Sequence, residues 1–192
     1  MKKYYKWRSS EKFLRVDNYP DEVEVIIRTE IEFLKKVKHL WKPFPFRFEE
    51  RKKRISDFPY LSTHLHAISE RALAVLKDMI APYAEILPLN IENSDQVFYA
   101  LNVLQTYDID VTRSDCIDEN VVSYVLTHAF PCDILPQAPI FRVVHATHGL
   151  YFVDKLYISE EFRNLVESNN LKGLLFDEEM KYRIGSKLGN ES

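Results

Sequence analysis

The tripeptide Ile-Ser-Glu occurs twice, at 68–70 and 158–160, each time where an apolar, β-rich run gives way to a helical stripe. The second copy sits inside Leu150–Phe176, LYFVDKLYISEEFRNLVESNNLKGLLF. Tyr151, Phe152, Val153, Leu156, Tyr157 and Ile158 predict a strand. Ser159 is a good N-cap, because its hydroxyl oxygen can accept a bond from an unsatisfied helix N–H. Glu160 and Glu161 then fall in the first turn, where the helix dipole favours negative charge. Phe162, Leu165 and Val166 recur at the i, i+3, i+4 spacing of one buried stripe. Asn169 and Asn170 suit the left-handed close of a helix, and Leu171–Phe176 predicts a returning strand. The same order runs through 65–91, where Ile68-Ser69-Glu70 opens a helix carrying Leu73, Leu76 and Ile80 and the chain returns through Ile86–Leu89. Either one strand-helix-strand unit is used twice, or two ordinary helix starts look alike. Both options give an α+β fold of mostly antiparallel sheet with two or three helices.

With 192 residues, 46% of them hydrophobic, the chain can bury a sizeable core as one globular unit. Only 4 glycines are present, and no glycine-rich phosphate loop can be written with them, neither the dinucleotide fingerprint nor the P-loop. The net charge of −3 hides a split: residues 1–60 carry 16 Lys/Arg against 10 Asp/Glu, and the remainder is net acidic. The basic part is expected to pack on the acidic part, 61–192, or the acidic part to face a basic partner. Two cysteines, Cys116 and Cys132, lack metal or redox spacing, and the basic start has no apolar segment behind it. No apolar run has the length of a membrane span. The expectation is a cytoplasmic protein without a membrane partner.

Along the chain, Lys3–Arg8 is a short aromatic strand. Residues 21–41 carry Val23, Ile26, Ile27, Ile31, Leu34, Val37 and Trp41 at helical spacing, with acids early and Lys35, Lys36 and Lys38 late. They predict a helix that Pro43 ends, although the β-branched content and the Glu-Val-Glu-Val opening argue for strand. Phe44–Phe48, containing Pro45, predicts an edge strand. Residues 97–104, 107–111 and 140–146 are further strands, and 121–126 fits strand or short helix. Residues 185–192 are expected to fray.

Chemistry-bearing groups are sparse. His64-x-His66 would place two imidazoles on one strand face, and His145 and His148 form a second pair. Neither pair has the further ligands a zinc site needs, so turn or surface histidines is the plainer reading. Asp108 and Asp110, followed by Asp115, Asp118 and Glu119, could hold a cation, act as paired carboxylates, line the outward face of a strand or form an acidic docking surface. His128 lies one helical turn before Cys132, but Pro131 between them disfavours an activated thiol. Arg51-Lys52-Lys53-Arg54 follows Glu49-Glu50 directly and reads as a solvated loop, not a nucleic-acid patch. No catalytic residue, metal ligand or cofactor is assigned.

Several pieces nevertheless fall into one order: Trp41-Lys42-Pro43, Asp57-Phe58-Pro59, Ile68-Ser69-Glu70-Arg71-Ala72, Leu87-Pro88-Leu89-Asn90, Asn102-Val103 and Pro139-Ile140-Phe141-Arg142. Val153–Phe162 and Leu171-Lys172-Gly173-Leu174-Leu175-Phe176 come after them. From about Trp41 to Phe176 this succession resembles family eleven of the immunity proteins of polymorphic toxin systems, first grouped as a bacterial domain of unknown function. Residues 20–40 are less like that family. The resemblance implies a cytoplasmic protein, encoded beside a toxin, that protects its own cell by binding the toxin's effector domain. It carries over no catalytic residue. It implies structural roles instead: Ser69 and Ser159 as caps, Trp41 and Phe141 as core, Gly173 as a permissive turn.

The leading expectation is therefore a non-enzymatic immunity protein whose partner is a cognate toxin. Asp108, Asp110, Asp115, Asp118 and Glu119 are its candidate partner-binding residues, able to steer a basic toxin. The alternatives are an enzyme built on His64/His66 or Asp108/Asp110, metal-dependent or acting on a small molecule, and a nucleic-acid-binding regulator using the basic N-terminal part, Arg51–Arg54 included.

Overall fold

A computed structural model describes residues 3–108, 115–116, 125–130, 136–147, 150–176 and 182–184. Its elements run β1 (Tyr4–Lys6), β2 (Val16–Asn18), α1 (Asp21–Ile26) continuing as a π-helical turn (Ile27–Ile31), and β3 (Pro45–Phe48). Next come β4 (His66–Ser69), α2 (Glu70–Ile80), β5 (Ala84–Ile91), β6 (Phe98–Val103) and β7 (Thr106–Asp108). The chain continues as β8 (Asp115–Cys116), β9 (Val125–Phe130), β10 (Ile140–Thr147), β11 (Leu150–Ser159), α3 (Glu160–Ser168) and β12 (Tyr182–Ile184). The fold is α+β. One sheet has the order β1-β11-β10-β7, a second has β2-β3-β5-β6-β4, and β12-β9-β8 form a small third. Pairing is mostly antiparallel, the β10/β7, β3/β5 and β12/β9 ladders being parallel.

The two Ile-Ser-Glu copies behave alike. Ser69 and Ser159 both hold extended backbone at the end of a strand, and each Oγ accepts from an N–H three residues on, Ala72 at 3.1 Å and Phe162 at 3.2 Å. Their returns differ. After α2 the chain re-enters the sheet as β5, whereas Leu171–Phe176 makes only the isolated bridge of Leu174 to Ser9 and is not a strand. Asn170 (φ 51°) supplies the left-handed close of α3, and Leu171 N–H then bonds Val166 O at 3.0 Å.

α2, α3 and both large sheets share one core. Ala72, Leu76 and Ile80 of α2 and Phe162 and Val166 of α3 meet Ile68 and Leu101 of one sheet and Ile140, Leu156 and Ile158 of the other. Alternation along the strands builds the remaining faces. Opposite Tyr5 and Leu156, Tyr4, Phe141 and Tyr157 form an aromatic cluster with Tyr107. Opposite Ile68 and Leu101, Ala67, Phe98 and Ala100 pack beneath Val23, Ile27 and Ile31.

Four expectations are corrected here. The helix expected over 21–41 stops at Ile31, well before Pro43. In its β-branched last turn Glu32 N–H reaches back to Ile27 O at 2.9 Å, and Leu34 then turns left-handed at φ 58°. Tertiary bonds hold residues 35–38: Glu85 accepts from the Val37 and Lys38 N–H groups at 2.7 and 3.2 Å, and Asn102 donates to Lys35 O at 2.9 Å. The second correction concerns β3, which is no edge, because β2 and β5 flank it with Pro45 at its first position. The third is Leu171–Phe176. The fourth is Trp41, which is only partly buried against Phe46 while its Nε1–H donates to Pro88 O at 2.8 Å. Phe141 is core and Gly173 holds φ 116°, as expected. Residues 109–111, 121–124 and 185–192, on which other expectations fell, lie outside the described residues.

Candidate functional site

Only His66 lies in β4, as its first residue; His64 sits in the bend before it and not on a shared strand face as expected, yet both lie near one buried cation. Arg142, in the middle of β10, is 1% exposed, and its Nη2 donates to the backbone carbonyl of His64. Nη1 has no partner among the described residues. Burial lowers its pKa to about 10, so it remains charged at neutral pH. Burial first, and the charge of Arg142 second, push both His64 and His66 below the usual histidine range, His66 well below it. Both imidazoles are therefore neutral at pH 7. Nε2 of His64 lies 3.5 Å from Glu32, a contact that is no charged pair in that state. The His66 ring packs at 5.3 Å on Trp7, whose indole N–H is buried with no acceptor among the described residues. Among those residues, no three His, Cys, Asp or Glu side chains come together as a metal site would require.

Two cavities flank segment 60–64 and share Arg15, Tyr60, Ser62, Thr63 and His64 as a wall. The smaller, about 570 Å³, has mixed charge: Arg28 pairs with Glu24 at 2.8 Å, and Tyr19 donates to Glu24 at 3.3 Å. Burial first, and Glu24 second, raise the Tyr19 pKa. The larger, about 640 Å³, lies under β1 and residues 8–15, and its walls are strongly basic.

The other candidates are placed separately. Asp108 is exposed at the end of β7 and Asp115 begins β8, whereas Asp110, Asp118 and Glu119 lie outside the described residues. Cys116 ends β8 and His128 lies in β9, while Cys132 and His148 also lie outside. In the basic run, Arg51 and Lys53 turn onto the buried Glu49 at 3.1 and 3.6 Å, so the preceding acid ties down two of the four cations. In the sequence Arg142 closes the Pro139-Ile140-Phe141-Arg142 piece of the resemblance, with no role attached to it. The signal that could have marked it is a lone charge between the apolar residues of Ile140–Val144.

No helix among the described residues is long and apolar enough to cross a membrane. No family model matches the chain, and no curated protein matches it.

Proposed function

We propose that this chain is a non-enzymatic immunity protein that captures the effector domain of a bacterial toxin in the cytoplasm and blocks it. The observation that carries the binding role is Phe33. Its side chain is 65% exposed, yet the segment beside it is fixed by Glu85 and Asn102, and Leu40 on that segment is 42% exposed. Burying a large aromatic from a surface whose backbone is already ordered costs little extra entropy, which is how central anchors of protein interfaces work. Asp108 and the acidic residues after it, Asp110, Asp115, Asp118 and Glu119, would add long-range attraction for a basic partner. The toxin as partner is supported by the ordered sequence resemblance from Trp41 to Phe176. Protection inside a cell calls for nanomolar affinity or better, and an interface on the order of 1,600 Å².

The test is co-expression with the toxin gene beside it. Survival that depends on this protein, with a stable complex on purification, is the expected result. Cells dying equally fast with and without it would end the reading.

A further inference from the structure

Between Phe33 and Phe48 the sequence holds no Asp or Glu, while Lys35, Lys36, Lys38 and Lys42 are all exposed. On the same segment Phe33 and Leu40 are the exposed apolar side chains. We infer that the face of the effector domain captured here is acidic around an apolar centre, an inference that rests on the toxin-binding role proposed above.

The positive charge is only partly cancelled within the chain. Lys35 pairs with Glu30 at 3.1 Å, and its Nζ lies 6.0 Å from the Phe33 ring. Among the described residues, no carboxylate lies within ion-pair distance of Lys36, Lys38 or Lys42. Lys42 sits instead over the Phe44 ring at 5.0 Å. Glu85 comes close, but to the backbone: it accepts from the Val37 and Lys38 N–H groups and from the Asn102 amide. Glu32 is directed to His64 at 3.5 Å and lines the mixed-charge cavity beside Arg28. With Glu30 and Glu85 set against the four lysines, the segment stays positive.

Order is the second argument. Val37 is fully buried, Trp41 Nε1–H donates to Pro88 O at 2.8 Å, and the Leu40 and Trp41 N–H groups both return to Val37 O. Phe33 and Leu40 are thus presented on a surface fixed before binding, which suits a complementary folded partner. A bilayer interface asks for apolar side chains that can sink below the headgroups, whereas this segment is tied to β5 and β6 through Glu85, Pro88 and Asn102. Single-stranded nucleic acid asks for free aromatic platforms. Trp41 is already stacked on Phe46 at 6.1 Å and meets Phe44 edge-on at 5.5 Å, and Leu40 offers no ring.

Lysines around an apolar anchor guide encounter by charge without imposing one geometry. A basic face, such as one that holds nucleic acid, would be repelled by them. Asp108 ends β7 in the other large sheet, so a partner drawn there by its basic groups still meets Phe33 with acidic ones.

The test mixes the intact chain with the effector domain of the toxin encoded beside it. Association and dissociation rates are measured at about 0.05 M and about 0.5 M salt. Lys36→Glu with Lys42→Glu should slow association at least about tenfold at low salt, leave dissociation within about threefold, and lose its effect at high salt. Lys52→Glu with Lys77→Glu makes the same change of net charge off this segment and should alter association less than about threefold. Should the first pair melt early, Lys36→Gln with Lys42→Gln replaces it and should slow association at least about threefold. A complex that forms equally fast with either reversed pair, or faster with the first, overturns the inference and leaves the toxin-binding role standing. No complex and no protection end both. Vesicles of phosphatidylglycerol and phosphatidylcholine in equal parts, and a single-stranded oligonucleotide, are tried on the chain alone. Binding to either at about 0.15 M salt that the first reversed pair abolishes would assign the lysines to lipid or nucleic acid and overturn the inference.

Discussion

Asp57 and Lys172 exchange two hydrogen bonds: the Asp57 N–H donates to Lys172 O, and Asp57 Oδ2 accepts from the Lys172 N–H, each at 2.8 Å. The same aspartate accepts from Ser69 Oγ at 2.8 Å on Oδ1 and from the Ser69 N–H at 2.8 Å on its backbone carbonyl. One buried residue thus joins the start of α2 to the segment that leaves α3. Arg71 adds to the clip, donating to Asn169 O at 2.8 Å where the α3 dipole presents negative charge.

Asp57→Ala strands three donors and should cost on the order of 3 kcal/mol of stability in urea unfolding. The two serine caps then separate in cost. Ser159→Ala loses a cap and should cost about 1 kcal/mol. Ser69→Ala also loses its bond to Asp57 and should cost about 2 kcal/mol. Equal losses for the two serines would mean that the Asp57 bond contributes nothing.

Gly173 combines φ 116° with a close approach: a Cβ there would lie 2.5 Å from Ser56 Oγ and 2.6 Å from Ser56 Cβ. Gly173→Ala should therefore destabilise by on the order of 3 kcal/mol. Adding Ser56→Ala should not rescue it, since Ser56 Cβ remains. Ser56→Ala alone should be near neutral, because its Oγ is buried without a partner among the described residues. A full rescue by the double change would refute this geometry.

Acid should destabilise the fold through His64 and His66. Their folded pKa values lie below the usual histidine value of about 6.5, so at pH values between the two the unfolded chain holds protons that the folded chain does not. Stability is therefore fully present above about pH 6.5 and falls as the pH drops below it, by up to about 1.4 kcal/mol per pH unit for each histidine. Melting temperature against pH checks this. His66→Gln should flatten the profile most. Arg142→Met removes the second cause of both shifts and should flatten it in part.

Phe33→Ala should leave stability within about 0.5 kcal/mol of wild type, because the side chain is mostly exposed. In the toxin-binding reading the same change should weaken capture by about 2 kcal/mol, measured as dissociation of the purified complex. Unchanged capture would move the interface elsewhere.

Signals confined to a few neighbouring residues are legible in the sequence. The caps at Ser69 and Ser159, the stripes of α2 and α3, and strands β10 and β11 each depend on local spacing alone. The helix over 21–41 fails at Ile31 because Glu85 and Asn102, far along the chain, bind the backbone groups that helix continuation would have used. Leu171–Phe176 has strand composition, but its bonds go to Asp57, Ser10 and Arg8 one at a time and not to a ladder. The candidate site is half legible. His64 and His66 stand out by alternation, whereas the basic cavity draws its walls from residues 6–15, 51–53, 60–66 and 155–156, which no periodicity connects.

The pairing of β1 with β11 bears on the order of synthesis. Tyr4 opposes Ser159, and just beyond β1 Ser10 donates to Gly173 O while Leu175 donates to Arg8 O. On a translating ribosome, Tyr4, Tyr5 and Trp7 emerge long before the strand that covers them has been made. The sheet β2-β3-β5-β6-β4 can close first, since all its strands lie within residues 16–103. The aromatic β1 segment must wait, exposed, for the last third of the chain. Chaperone occupancy of nascent chains should peak in that interval and fall once β11 clears the exit tunnel.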